Sequence, residues 1–272
     1  MPDFKLADAE FDRQAAILEA LVGAVEFIGR QDPNNPLTIG ATSLAGLPAG
    51  SQNTMAASAI VLLAAHFEEY IRQQVEEFAH AAVAVYAFME IEHQEKWLDN
   101  YWRAGSNRLN RIRPKGDPTW ATGAQTLLLS LLEYPVRQNV GSFIANMLAE
   151  HDNNMRWDTI AETTGRVGAQ KLSDKLFKSA ALKTEIGNPK KDQFALSMRS
   201  KLNEFYAMRN GIVHSISQNS GIGPTIFYSW IRFFRVFTTS FADAMEECYS
   251  DFCAKIEKNR QKTAGANTAA ST

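Results

Sequence analysis

The sequence predicts an all-α fold. Apolar residues recur at helical spacing over long stretches, no convincing run of alternating apolar and polar residues indicates a strand, and no internal repeat is found. At 272 residues the chain is long enough to bury a substantial core, as one large domain or as a domain with an inserted subdomain.

Three segments are predicted in the front half of the chain. A first helix runs from about Asp8 to Arg30, because its apolar residues keep the helical period and Pro33 follows as a stop signal. Residues 32–53 hold so many prolines and glycines that we expect an irregular connection. A long helix is then predicted over residues 54–92, apolar at first and amphipathic later. Its pattern allows a break, although no proline requires one.

The middle of the chain is basic and rich in helix-breaking residues. Residues 103–118 carry four arginines and a lysine among glycines and prolines, which predicts a basic loop. Helices are expected over residues 122–132 and 136–150, with Pro135 between them. Residues 166–191 hold seven basic residues against two acidic ones and predict an amphipathic helix with a positive face.

Two strong helices close the chain. One runs from about Lys191 into the segment Arg209–His214, and the other, rich in phenylalanine, runs from Thr225 to about Glu257. Residues 260–272 are mostly alanine, threonine and glycine, and a disordered tail is predicted there.

Composition excludes several classes of protein. A net charge of −2 and a charged fraction of 21% indicate neither disorder nor a basic coat over the whole surface. Cys248 and Cys253 point in different directions on a helix and offer no disulfide or metal framework, so we expect a reducing cytoplasm. No secretory signal is evident, and the longest apolar stretch, residues 56–65, is about half of what a bilayer span needs. We therefore expect no membrane partner.

The segment Arg209-Asn210-Gly211-Ile212-Val213-His214 carries the most informative chemistry. Cleavage of RNA by its own 2′-hydroxyl needs a proton donor or acceptor with a pKa near neutrality, and a cation that offsets charge on the phosphorane. Histidine and arginine fit these two roles, and the Asn210 amide is placed to orient the imidazole or a phosphate. We predict Arg209, His214 and Asn210 as catalytic residues that need no cofactor and no metal.

The spacing within this segment predicts a dimer. Residues five apart on a straight helix differ by about 140° in direction, so Arg209 and His214 do not share a face. Two copies that meet across a two-fold axis bring the histidine of one subunit towards the arginine of the other. Tyr206, three residues before Arg209, either lines the same cleft or packs in the core.

Other interpretations of these residues remain open. Arg209 would equally serve as a surface ion-pair partner, Gly211 as a helix C-cap and His214 as a capping cation. The basic segments supply candidate RNA-binding residues, although solvated faces explain such charges equally well. These candidates are Arg108, Arg111, Arg113, Lys175 and Lys178.

A resemblance to a known family combines these features. A long helix with Ala65-His66-Phe67-Glu68-Glu69-Tyr70, a divergent middle, Arg209-Asn210 with His214, and a long final helix together resemble the HEPN superfamily, most closely its RiboL-PSP type. The resemblance implies one HEPN-like helical bundle over residues 1–259. Its core helices lie at about 54–92 and 192–257, and its divergent inserted middle at 103–191.

The resemblance also implies a function. Proteins of this kind are commonly endoribonucleases of toxin–antitoxin or antiphage systems, while others are catalytically inactive modules that bind RNA or protein. It implies that one of Glu68 and Glu69 is semi-buried against the motif helix, and we take Glu69 as a supporting residue. The expected partners are RNA, a second copy of the chain, and an antitoxin or defence-system protein.

Overall fold

The computed structural model describes residues 2–29, 37–39, 42–44, 50–115, 118–137, 140–151, 154–214 and 222–269. These residues form a bundle of α-helices, which confirms the predicted all-α class. In chain order the helices are α1 (Phe4–Gly29), α2 (Ser51–Val83), α3 (Ile91–Arg111), α4 (Trp120–Arg137), α5 (Asn146–Ala149), α6 (Trp157–Arg166), α7 (Leu172–Leu176), α8 (Ala180–Glu185), α9 (Phe194–His214) and α10 (Pro224–Ala269).

Helices α1, α2 and α10 pack together and form the centre of the core. Each contributes a stripe of buried residues at spacings of three and four, as the sequence predicts for helices with one face in a core. Tyr70 of α2 is fully enclosed, and its hydroxyl donates a hydrogen bond of 2.6 Å to the carbonyl of Thr238 on α10. Burial raises the pKa of Tyr70 well above its ordinary value, so this donor stays protonated.

Aromatic rings attach α9 to this core. Phe234 of α10 is completely buried, and its ring centroid lies 4.5 Å from that of Phe67 on α2 and 4.6 Å from that of Phe205 on α9. Such tilted and edge-to-face pairs add about 0.5–1.5 kcal/mol each beyond the area they bury. The three rings therefore fix the position of α9 against α2 in the region of the predicted motif.

The helix predicted over residues 54–92 is divided. α2 ends at Val83, a 3-10 turn spans Tyr86–Phe88, and α3 begins at Ile91. The Gln94 side chain donates hydrogen bonds of 3.1 Å to the carbonyls of Tyr86 and Met89, which satisfies two backbone groups that the break releases. A side chain from the following helix thus stabilises a break that no proline requires.

The basic loop predicted over residues 103–118 is wrong for its first half, because α3 continues to Arg111. Gly105 lies within this helix, and a Cβ atom there would come within 2.5 Å of the Leu131 side chain on α4. The glycine therefore permits close packing of two helices. α4 itself continues through Pro135 to Arg137, so the helix predicted over 136–150 is also wrong, and the described residues after Arg137 in that range form a 3-10 turn, Val140–Ser142, and the short α5.

Two further predictions of local structure fail. The helix predicted over residues 166–191 is broken into α7 and α8, with a left-handed glycine at Gly168 before the first and another at Gly187 after the second. The connection predicted as irregular contains a short antiparallel pair, β1 (Leu37–Ile39) and β2 (Thr42–Leu44). The first departure involves left-handed glycines, which local periodicity does not place.

The disordered tail predicted from residue 260 is wrong as far as Ala269, because α10 continues to that residue. Extending an existing helix needs no new nucleus, and alanine is the strongest helix former, so this alanine-rich stretch continues the helix. Residues 270–272 lie outside the described part of the chain. None of the described helices is both long enough and apolar enough to span a lipid bilayer.

Candidate functional site

One helix carries the predicted catalytic residues. The buried face of α9 consists of Phe194, Met198, Leu202, Phe205 and Tyr206, and Arg209 follows on the same side three residues after Tyr206. The apolar stripe of α9 is thus followed by the polar side chains of the motif. Gly211 does not end the helix, which continues to His214, so it is not the C-cap that an alternative interpretation requires.

Glu68 and Tyr206 face each other between α2 and α9. The Tyr206 hydroxyl and Oε1 of Glu68 are both shielded from solvent. Burial raises the pKa of Tyr206 well above its ordinary value, and the nearby Glu68 carboxylate raises it further. The backbone of Met155 and the charge of Arg209 act in the opposite direction. Tyr206 is therefore a protonated, buried neighbour of the motif arginine, and its complete burial matches the core role predicted for it.

Arg209 is half-buried and forms no ion pair with any carboxylate in the described part of the chain. Its Nε is shielded from solvent and has no hydrogen-bond partner there. Nη1 donates to Oδ1 of Asn210 at 3.2 Å, and the Asn154 amide donates to the same oxygen at 3.4 Å. The interpretation of Arg209 as a surface ion-pair partner therefore finds no support. The guanidinium thus contacts the Asn210 amide, which Asn154 in turn contacts, and no described carboxylate neutralises its charge.

His214 is the last residue of α9, and its side chain is exposed. It lies about 7–8 Å further along the helix axis than Arg209 and about 140° around it. Asn210, four residues earlier, lies on the same face as the histidine. One copy of the chain thus presents a shielded arginine and an exposed histidine on different sides of one helix. Residues 215–221, which follow the histidine, lie outside the described residues.

The structure places Glu68, rather than Glu69, beside the motif. Glu69 is turned away and pairs with Arg72 on its own helix, and Gln73 donates a further hydrogen bond of 2.7 Å to it. Neighbouring helical residues differ by about 100° in direction, so only one of the two glutamates can face α9. The expectation of a semi-buried glutamate at the motif helix is met by Glu68.

The predicted RNA-binding arginines lie in a network that joins neighbouring elements. Arg108 donates to Asn146 at 2.7 Å and lies 3.0 Å from the Glu150 carboxylate, and Arg111 lies 3.5 Å from the same carboxylate. Arg113 donates to the carbonyl of Asn110. The contacts of Arg108 and Arg111 attach the end of α3 to α5 and to Glu150, the residue after α5. The contacts of Arg108 and Arg111 favour a structural role for them over an exposed phosphate site.

Lys175 and Lys178 similarly join α7 to α10. Lys175 lies 2.6 Å from Asp251 and 3.6 Å from Glu247, and Lys178 pairs with Glu247. The Lys175 side chain is only 8% exposed. Burial lowers the pKa of Lys175, but the two carboxylates outweigh this and raise it above its ordinary value. The structure does not bring either lysine together with Arg209.

Sequence reasoning missed Asn154. This residue and Met155 precede α6, yet they reach Asn210 and Tyr206, more than fifty positions along the chain. No motif signals such a contact, since only the packing of α6 against α9 creates it. Within the described residues, no group of three His, Cys, Asp or Glu side chains is arranged to hold a metal ion.

Comparison with known proteins supports the resemblance. The sequence profile of the RiboL-PSP-HEPN family matches residues 40–247, which cover α2 to α9 and the first half of α10. Searches among curated proteins and among solved structures find no match. The match spans well over half of the chain and includes Glu68, Asn154 and the whole segment Arg209–His214. The chain belongs to the RiboL-PSP-HEPN family and is therefore a member of the HEPN superfamily.

Proposed function

We propose that the protein is a metal-independent endoribonuclease whose site is built around Arg209, Asn210 and His214. Family membership supports a role in RNA cleavage or RNA binding. The observation that carries the proposal is the cluster of buried polar groups between α2 and α9, next to an arginine that has no carboxylate partner in the described part of the chain. Glu68 Oε1, the Tyr206 hydroxyl and Arg209 Nε are all shielded from solvent, and Arg209 Nε has no hydrogen-bond partner among the described residues. A half-buried charged group without a paired carboxylate costs free energy, which indicates a role for Arg209 other than stability.

The chemistry assigns a role to each group. The 2′-hydroxyl of RNA loses its proton and its oxygen bonds to the adjacent phosphorus, while the bond from phosphorus to the 5′-oxygen breaks and that oxygen takes a proton. His214, exposed at the helix end, is suited to carry one of these protons. Arg209 offsets the charge that develops on phosphorus, because its planar fork engages two oxygens at once.

The arrangement of α9 favours a site shared by two subunits. Within one chain Arg209 is half-buried on one side of the helix and His214 is exposed on another. In a dimer with a two-fold axis, the second copy supplies a histidine to this arginine and an arginine to this histidine. Glu68 and Tyr206 then act as positioning residues, whose buried polar groups lie beside Arg209 while its guanidinium faces the partner subunit.

The products of cleavage test this mechanism. We expect a 2′,3′-cyclic phosphate and a 5′-hydroxyl at the cut, and activity that persists in EDTA. A substrate with a single 2′-deoxynucleotide at the mapped position should resist cleavage there while neighbouring sites are still cut. Products with 5′-phosphates, or loss of activity in EDTA that Mg²⁺ restores, would contradict the mechanism.

We also propose that cleavage serves a toxin or defence effector, controlled by a partner protein in the cytoplasm. Expression of the wild type in a bacterial host should arrest growth and fragment cellular RNA, while His214→Ala expressed at the same level should not. A purified wild type that binds RNA but leaves it intact would favour the alternative, a catalytically inactive binding module. Arrest by both proteins would show that the toxicity does not depend on the motif.

A further inference from the structure

A cavity lies away from the candidate site. Its volume is about 330 Å³, and it is enclosed by α3, by the turn that links α6 to α7, and by the second half of α10. This volume falls in the range of pockets that bind small molecules. The cavity adjoins the C-terminal end of α6, whereas Asn154 precedes the other end, and ten helical residues separate these ends by about 15 Å. The cavity is therefore distinct from the cluster around Arg209.

One wall of the cavity is apolar. Trp97 of α3 and Val167 after α6 are buried there, and Phe252 and Ile256 of α10 are half-buried. Trp97 is itself stacked on Phe143 on its other side, with ring planes 27° apart. The wall is consequently rigid and fits a flat apolar group.

The rim of the cavity is basic. Lys96, Lys171 and Lys255 line it, all three are exposed, and none forms an ion pair with a described residue. Lys255 donates a hydrogen bond of 2.6 Å to the Gln170 side chain, which holds its ammonium group at the rim.

Other charged groups also line this cavity. Asp251 pairs with Lys175 at 2.6 Å, and Glu90 lies 3.6 Å from His93. Arg166 donates to the carbonyls of Leu148 and Glu150 and pairs with Glu162. The lining thus holds four basic side chains, the three lysines and Arg166, against two carboxylates, so its net charge is positive.

Lys171 has an unusual backbone. Its φ of 57° lies in the left-handed region, which glycine and asparagine adopt far more readily than lysine. Its side chain does not cap α7. The only other non-glycine residue with positive φ in the described part of the chain is Asn188, a residue type that tolerates it. Lys171 keeps this strained conformation at the rim of the cavity, where its exposed side chain adds positive charge.

We propose that this cavity binds a small organic anion that combines a flat apolar ring with a carboxylate or phosphate group. The ring lies against Trp97 and Phe252, and the anionic group lies among Lys96, Lys171 and Lys255. This site is independent of RNA cleavage, so its test does not depend on that activity.

The test uses three probes with one ring system. The full chain is titrated by calorimetry with 2-naphthyl phosphate, with 2-naphthoate and with neutral 2-naphthamide. We expect one of the anions, or both, to bind with 1:1 stoichiometry and the amide to bind at least about fivefold more weakly, because it offers no charge to the lysines. The comparison of the two anions decides between phosphate and carboxylate.

Three variants locate the binding. Lys171→Asn removes the charge and suits the left-handed backbone, so it should weaken anion binding about fivefold while the melting temperature stays the same or rises. Ala254→Phe, at an exposed cavity-lining position of α10, fills the space and should abolish binding. Lys258→Gln, one turn beyond Lys255 and outside the lining, is the matched control and should bind as the wild type does.

Several outcomes would overturn the proposal. Equal affinity for the amide and the anions would remove the role of the charge, and unchanged binding by Lys171→Asn and Ala254→Phe together would place the probe elsewhere. Displacement of the probe by a short single-stranded RNA, with weaker RNA binding in Lys171→Asn, would assign the rim to an RNA contact.

Discussion

Dimers that carry Arg209→Ala in one subunit and His214→Ala in the other should cleave RNA at about half the wild-type rate, because one of the two shared Arg–His pairs is intact. The corresponding homodimers should each be nearly inactive. Loss of one donor at a charged transition state costs about 10²–10³ in rate, and loss of a general acid or base costs about 10²–10⁴. Differently tagged subunits, purified over two affinity columns in turn, provide the mixed dimers for a cleavage assay.

The matched control is a dimer of one wild-type subunit and one subunit with both substitutions. A site shared between subunits leaves both Arg–His pairs damaged in this dimer, so it should be nearly inactive. Sites that are complete within one chain predict the reverse, namely half activity for the control and none for the mixed dimer. The two arrangements therefore give opposite results with the same two substitutions.

Removal of the ring that joins α2, α9 and α10 should have the largest effect on stability. Phe234→Ala is expected to lower the free energy of unfolding by about 3–5 kcal/mol, because the ring is completely buried and the cavity it leaves cannot fully collapse. Its contacts with Phe67 and Phe205 lie next to Glu68 and Tyr206, so the site should be lost together with the core.

Urea unfolding followed by circular dichroism measures this change. The control is Leu196→Ala on α9, whose side chain is 64% exposed and whose substitution should change stability by less than about 0.5 kcal/mol. A loss below about 1 kcal/mol in Phe234→Ala would mean that these helices are not held together by the aromatic cluster.

The helices that form the core could be predicted from the sequence because each has a continuous apolar stripe. α1, α9 and α10 begin and end within a few residues of their predicted positions, apart from the extension of α10 to Ala269. The break after Val83 could not be predicted, because the apolar pattern continues across it and Gln94 stabilises it from the next helix. The helix through the basic segment was missed because Gly105 indicates a loop locally, while its actual role is close packing against Leu131.

The candidate site was predictable only in part. The motif Arg209–His214 is contiguous, so its chemistry can be recognised without any tertiary structure. The choice of Glu68 over Glu69 depends on which face of α2 meets α9, and adjacent residues on one helix do not reveal this. Asn154 lies far from the motif in sequence and reaches it only through the packing of α6. For the basic residues, the sequence shows their charge. It does not show that they pair with Glu150, Glu247 and Asp251.

The most direct test of the central claim is cleavage of a defined RNA by the wild type and by His214→Ala, purified identically and assayed in EDTA. The wild type is predicted to cleave the RNA. The variant is predicted to be at least about 100-fold slower, with an unchanged melting temperature because the side chain is exposed. Equal cleavage by the two proteins, or no cleavage by a folded, dimeric wild type, would contradict the proposal that the end of α9 is a ribonuclease site.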